Sequence, residues 1–244
     1  MREPKYPIIE VFGPTIQGEG PHAGRVCCFV RTGGCDYRCG WCDTPYAVDP
    51  AQVRANSEKL TGAQVVERLP PDAHTVVLSG GNPALLTTGN LAEAIVSTGR
   101  VIHVETQGTV WRRWLTLAEL LVVSPKPPSS GMAEQAERDA PAFIRKWRLA
   151  RTQRSSCPAL ALKFVVADVA DLKWALKLRD VIDRDHELPL YLSALTPPAC
   201  SLDVLAASYR NLCDLVLASR VAIDHSPVVL PQLHVVAWGH ARAV

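Results

Sequence analysis

Short apolar runs recur along the chain at 25–31, 75–78, 101–104, 120–123, 160–166 and 188–192. Runs of this length, bounded by Gly, Pro or polar positions, predict buried strands. Between several of them the spacing changes to a helical period, at 90–97, 167–182 and 202–217. In the second of these, Leu172, Ala175, Leu176, Leu178 and Ile182 approximate one apolar stripe. Asn90 and Glu93 have the spacing of an N-terminal capping pair. The stretch from Pro125 to Gly131 reads as a loop ahead of a polar segment at 134–139, and no internal repeat is present. Strand-then-helix alternation predicts an α/β fold with a parallel sheet, open or closed into a barrel. Either form puts a site at the carboxyl ends of the strands, so the polar, Gly-rich segments after each strand carry the interest.

Composition narrows the class. The 244 residues are 48% hydrophobic, and 26 Lys+Arg stand against 24 Asp+Glu. A chain of this size buries roughly 70% of its unfolded surface, which suits one large α/β domain or two small ones. The near-neutral balance leaves no electrostatic footprint for nucleic acid. No stretch approaches the ~20 apolar residues of a membrane span, and the start, Met1 to Lys5, has no signal-peptide core. A soluble, cytoplasmic protein with neither a membrane nor a nucleic-acid partner is expected.

The cysteines point to chemistry. Five of eight crowd between Cys27 and Cys42, the others being Cys157, Cys200 and Cys213. Such crowding in a chain without a signal suits metal or redox chemistry better than disulfides. Cys35, Cys39 and Cys42 have spacings that would share a helix face. Gly33, Gly34, Gly40 and Pro45 disfavour a regular helix, so a loop wrapped around an inorganic centre is the better picture. Three thiolates without a nearby fourth ligand fit a [4Fe–4S] cluster with one open iron better than closed structural zinc, although zinc stays open on spacing alone. Cys27 and Cys28 alternate faces of a strand and read as packing.

Cys-x3-Cys-x2-Cys with Trp41 before the last cysteine resembles the signature of the radical S-adenosylmethionine (SAM) superfamily. The segments Glu10 to Gly20, Phe29-Val30-Arg31, Cys42-Asp43-Thr44, Ser79 to Pro83, Val104 to Thr109, Ser124-Pro125-Lys126 and Gln232-Leu233-His234 resemble the 7-carboxy-7-deazaguanine synthase family. The resemblance runs in order from about residue 8 to about residue 238. It implies one domain spanning 1–244, a partial, modified (β/α) barrel, and a homodimer. It also implies conversion of 6-carboxy-5,6,7,8-tetrahydropterin to 7-carboxy-7-deazaguanine with loss of ammonia, and an external electron donor such as a flavodoxin. The cofactors implied are a [4Fe–4S] cluster on Cys35, Cys39 and Cys42, SAM, and Mg²⁺ at Thr44. A radical SAM activase acting on a partner protein and a non-enzymatic Fe–S or zinc module are the alternatives.

The resemblance also distributes roles. Ile16, Gln17, Gly18, Glu19, Arg31, Ser79 and His234 are expected on the substrate, Arg31 through a bidentate grip on its carboxylate. Trp41, Cys42, Asp43, Gly80, Gly81, Asn82, Glu105, Thr106, Ser124, Pro125, Lys126 and Lys163 are expected along the SAM groove. Read from residues alone, Arg31 can equally form a structural ion pair, Lys163 can snorkel, and His234 can be a satisfied core histidine. Three positions depart from the family pattern. Asn82 stands where a glutamate is usual, removing a charge expected near the SAM amino group, with Glu105 the candidate to replace it. Gln107 stands for asparagine, and Ser193 to Thr196 replace a Gln-Pro segment.

Overall fold

The computed structural model describes residues 3–153, 157–197, 200–239 and 241–243. In chain order the elements are β1 (Tyr6–Ile16), β2 (Val26–Thr32), α1 (Pro50–Asn56), β3 (Glu58–Leu60), α2 (Gly62–Arg68), β4 (Thr75–Gly80), α3 (Asn90–Val96), β5 (Val101–Thr106), β6 (Leu120–Val123), α4 (Ala133–Gln153), β7 (Ala159–Val166), α5 (Val169–Ile182), β8 (Leu190–Ala194), α6 (Leu202–Leu217), α7 (Arg220–Asp224), β9 (Val228–Leu230) and α8 (Leu233–Trp238). The strands form one sheet in the order β3-β1-β2-β4-β5-β6-β7-β8-β9. From β2 onward every pairing is parallel, whereas β1 lies antiparallel to both β2 and β3. The two ends of the sheet are not paired with each other, so the barrel is open.

Alternation along the strands sorts two faces. Val76 and Leu78, Ile102 and Val104, Leu121 and Val123, and Leu160, Leu162 and Phe164 bury against the helices. The opposite set, Arg31 beside Ser79 and Glu105 beside Val122, lies on the concave face. Local chemistry starts the helices where they start. The Asp168 side chain accepts the Ala170 and Asp171 amides at the head of α5, and Thr61 with Gln64 makes a full capping box at α2. At α3 the expected capping role of Asn90 does not hold. Gly89 occupies the N-cap without a side-chain bond, and Asn90 is the first helical residue. The 21-residue α4 buries Ala136, Ala140, Phe143, Ile144 and Trp147 along one stripe. No helix among the described residues is long and apolar enough to cross a membrane.

Candidate active site

The carboxyl ends of the parallel strands open into a cavity of about 490 Å³. The Cys35–Cys42 loop follows β2 and is pinned over this cavity from several sides. Gly34 donates its amide to the Ala47 carbonyl at 2.8 Å, and Asn82 donates its own to Gly34 at 2.8 Å. Gly40 N–H reaches the Ser130 carbonyl at 3.0 Å, Trp41 Nε1 donates to Ser129 Oγ at 3.1 Å, and the Tyr37 hydroxyl donates to Asp139 at 3.1 Å. The Pro-rich stretch at 125–131 is therefore a docking platform for the cysteine loop. Asp171 secures that platform through Ser129 Oγ at 2.6 Å. Glycine at 80 and 81 is a packing requirement, since a Cβ would meet the Thr32 carbonyl oxygen at 2.0 Å or the Gly34 oxygen at 2.2 Å.

Cys35, Cys39 and Cys42 all line the cavity; burial raises the thiols of Cys35 and Cys39, and the Lys126 charge opposes this only in part. Burial, reinforced by the neighbouring Cys42 and Cys35, still pushes the Cys39 thiol up to about 11. A group that binds thiolates would have to displace these protons. The three sulfurs do not all lie within 4.8 Å of one another, whereas one tetrahedral zinc would hold them about 3.8 Å apart. A donor set of three thiols and no imidazole, spread across a cavity mouth, fits a multi-iron cluster. Thr44 Oγ1 lies 3.8 Å from Cys42 Sγ, a hydroxyl ligand available to a hard cation beside it. Cys27 and Cys28, buried in β2, are pushed up to about 12 and about 11 chiefly by burial, as befits inert packing residues.

Among the described residues, three ligand-type side chains gather within 4.8 Å only at Asp180, His186 and His225. There Arg179, which can only donate, reaches His225 Nδ1 at 3.1 Å. The ring proton must then sit on Nε2, facing Asp180, which leaves no lone pair for a cation. This group is a hydrogen-bonded lock.

The residues expected on the substrate line the same cavity. Glu19 is paired with Lys163 and accepts from Gln232 Nε2 at 2.8 Å. Burial alone would raise the Glu19 carboxyl, but Lys163, His234 and the two hydrogen bonds bring it down to about 2. Burial would likewise depress Lys163, and Glu19 with Glu105 reverses this, so its ammonium is held charged. Glu105 accepts from Gln17 Nε2 at 2.9 Å and from Ser79 Oγ at 3.1 Å. It thereby belongs with the predicted substrate contacts as much as with the SAM groove. Gly18 cannot carry a side chain, because a Cβ would fall 2.0 Å from His234 Nδ1.

Of the predicted site residues, Ile16, Gln17, Gly18, Glu19, Arg31, Ser79 and His234 line the cavity on one side. Trp41, Asp43, Thr44, Gly80, Gly81, Glu105, Thr106, Ser124, Lys126 and Lys163 line it with the three cysteines. Two do not. Pro125 is buried between its cavity-lining neighbours. Asn82, 1% exposed, gives both amide hydrogens to Asp36 Oδ1 and Thr109 Oγ1 and takes hydrogen bonds from Ala84 N–H and Thr106 Oγ1. Its hydrogen bonds in this structure all run inside the protein, where it joins Asp36, Thr109, Thr106 and Ala84 in a buried knot. The cavity also contains residues assigned no role from the sequence: Phe12, Phe29, Tyr46, Gly239, Ala241, Arg242 and Ala243.

No protein-family model matches the chain. The 7-carboxy-7-deazaguanine synthase of Bacillus cereus is 35% identical over 250 residues, covering 98% of this chain and 99% of that protein. The 7-carboxy-7-deazaguanine synthase of Bacillus subtilis is 34% identical, covering 98% of each. The crystal structure of QueE from Escherichia coli superposes with a TM-score of 0.63 at 22% identity, covering 92% of each chain, a likeness of fold.

Proposed function

This chain belongs to the 7-carboxy-7-deazaguanine synthase family, and on that premise we propose that its cavity converts 6-carboxy-5,6,7,8-tetrahydropterin to 7-carboxy-7-deazaguanine with loss of ammonia. The observation that carries this reading is the meeting, in one cavity, of the three-cysteine loop with the Gln17, Glu19, Arg31, Lys163 and Glu105 set. A [4Fe–4S] cluster on Cys35, Cys39 and Cys42, with SAM beside it, supplies one-electron radical chemistry. Everything else is done by the chain.

Arg31 and Lys163 put positive charge on the concave face, which suits a carboxylate substrate. Arg31 spends its Nε on Glu10, so the two Nη groups remain for a bidentate grip. Glu19 and Glu105 accept hydrogen bonds and orient N–H groups of a pterin ring. Phe12 and Phe29, stacked with centroids 5.1 Å apart, form an apolar wall that helps exclude water. Ser79 and Gly80 end β4, and Gly81 follows directly, between the two halves, so the reacting parts are held at fixed distance. Thr44 is assigned to Mg²⁺, and Gly80, Gly81, Thr106, Ser124 and Lys126 to the SAM side.

A wall built of paired, buried charges suits a small acid better than a glycyl segment of a partner protein, and the wide sulfur spacing disfavours a zinc module. Residues 1–244 are read as one domain, supported by the continuous sheet and core. A homodimer, an external electron donor such as a flavodoxin, a cytoplasmic location and the absence of nucleic-acid or membrane partners belong to the same reading. The test is anaerobic incubation of reconstituted protein with SAM, a reductant and the carboxypterin, followed by mass spectrometry. Appearance of 7-carboxy-7-deazaguanine supports the proposal; SAM cleavage with the pterin left intact would refute it.

A further inference from the structure

One carboxylate oxygen in the cysteine loop receives two side-chain amides. Gln107 Nε2 donates to Asp36 Oδ1 at 2.5 Å, and Asn82 Nδ2 donates to the same oxygen at 3.1 Å. Both amides are buried, Gln107 at 4% and Asn82 at 1% exposure. An amide nitrogen carries two hydrogens, and the second on Gln107 has its own acceptor, Cys35 Sγ, at 3.3 Å. Cys35 also receives the Tyr37 backbone N–H at 3.4 Å. Asp36 thus fixes the Gln107 amide in the orientation that points a donor at the first cysteine of the loop, while Asn82 fixes Asp36.

The two nearby departures from the family pattern are therefore coupled. A glutamate at 82 would set a carboxylate against Asp36, and the amide there avoids that repulsion. A shorter asparagine at 107 would withdraw its amide by one methylene from the bridge between Asp36 and Cys35.

We propose that Gln107 is a positioning residue that raises the reduction potential of the centre held by Cys35. This rests on the reading of Cys35, Cys39 and Cys42 as ligands of a [4Fe–4S] cluster. Hydrogen bonds to the sulfurs are one of the levers by which a protein sets cluster potential. Reduction adds negative charge that spreads onto the thiolate sulfurs, and an N–H dipole aimed at one of them stabilises the reduced form more than the oxidised form. Neither amide hydrogen of Asn82 goes to the sulfur; its link to Gln107 runs through Asp36.

The test is a redox titration of anaerobically reconstituted wild type and Gln107→Leu, followed by electron paramagnetic resonance of the reduced cluster without SAM or substrate. Iron is measured on the same samples. With iron retained, Gln107→Leu is expected to shift the reduction equilibrium about tenfold toward the oxidised form, or 59 mV for one electron. The exchangeable-proton coupling from the Gln107 amide should be present in wild type and missing in the variant, while that from the Tyr37 N–H persists in both. An unchanged midpoint in an iron-replete variant overturns the inference and leaves the cluster standing. Wild type without a cluster overturns the underlying reading instead. Should Gln107→Leu fail to hold iron, Gln107→Met, of similar length but without a donor, carries the same comparison, and a wild-type midpoint there contradicts the proposal.

Discussion

Glu10 Oε1 accepts the Nε–H of Arg31 at 2.5 Å, across the antiparallel pair that joins β1 to β2. The same carboxylate binds Arg242 Nη2 through its other oxygen at 3.3 Å, and the Arg242 guanidinium stacks 3.7 Å above the Tyr46 ring. Arg31 is thus an ion-paired residue that also lines the cavity. Its guanidinium is anchored along one edge and presents the other to the cavity. Anchoring lowers the entropy that a bidentate grip would otherwise cost.

Arg31→Lys keeps the charge but loses both the anchored edge and the planar fork. Affinity for the carboxypterin is expected to fall by about 1–3 kcal/mol, the scale of a charged hydrogen bond. Iron content should not change. Equilibrium binding to reconstituted protein checks this, and unaltered affinity would remove Arg31 from the substrate contacts.

The Glu19–Lys163 pair carries a pH signature. Glu19 has its carboxyl lowered from the ordinary value to about 2, so its stabilising contribution is fully present above the unfolded value near 4.5. That contribution is lost as pH falls from about 4.5 through 2. Lys163 is raised, so its contribution is present below its ordinary value near 10.5 and lost only as pH rises through its folded value. Glu19→Gln is expected to be less stable at neutral pH and to lose less stability than wild type between pH 5 and 3. Denaturant midpoints across that range measure it, and parallel acid profiles would show that the pair contributes nothing.

Asn82→Glu separates the knot from the SAM-contact expectation. A carboxylate about 3 Å from Asp36 Oδ1 would repel it and lose the donors to Asp36 and Thr109. Lower thermal stability and reduced iron retention are expected, on the order of 2–4 kcal/mol of stability for breaking a buried hydrogen-bond network. Tighter SAM binding with full iron would support the expected place beside the SAM amino group.

How much of this was legible in the sequence depends on the element. The six parallel strands from β2 to β8 announce themselves, because each is an apolar run ending in polar or glycine residues. β1 does not, since Gly13, Pro14 and Thr15 interrupt its pattern and its strand character comes from pairing on both sides. α4 is masked by its charges: Ala136, Ala140, Phe143, Ile144 and Trp147 make a stripe only once the register is known. The cysteine loop and most cavity residues were readable because they lie in short motifs at strand ends. Glu10, Tyr46 and Arg242 were not, because each acquires meaning only when β1, Tyr46 and Arg242 are brought beside Arg31 of β2. The buried knot around Asn82 was not readable either, because its partners Asp36 and Thr109 are distant in sequence.

The most direct measurement is iron per chain in anaerobically reconstituted wild type, Cys35→Ala, Cys39→Ala, Cys42→Ala and Cys28→Ala, with SAM cleavage followed in each. Wild type and Cys28→Ala are expected to bind about four irons and to cleave SAM, and the three loop variants to do neither. Loss of iron in Cys28→Ala as complete as in Cys39→Ala, or a colourless wild type loaded with zinc, would contradict the account.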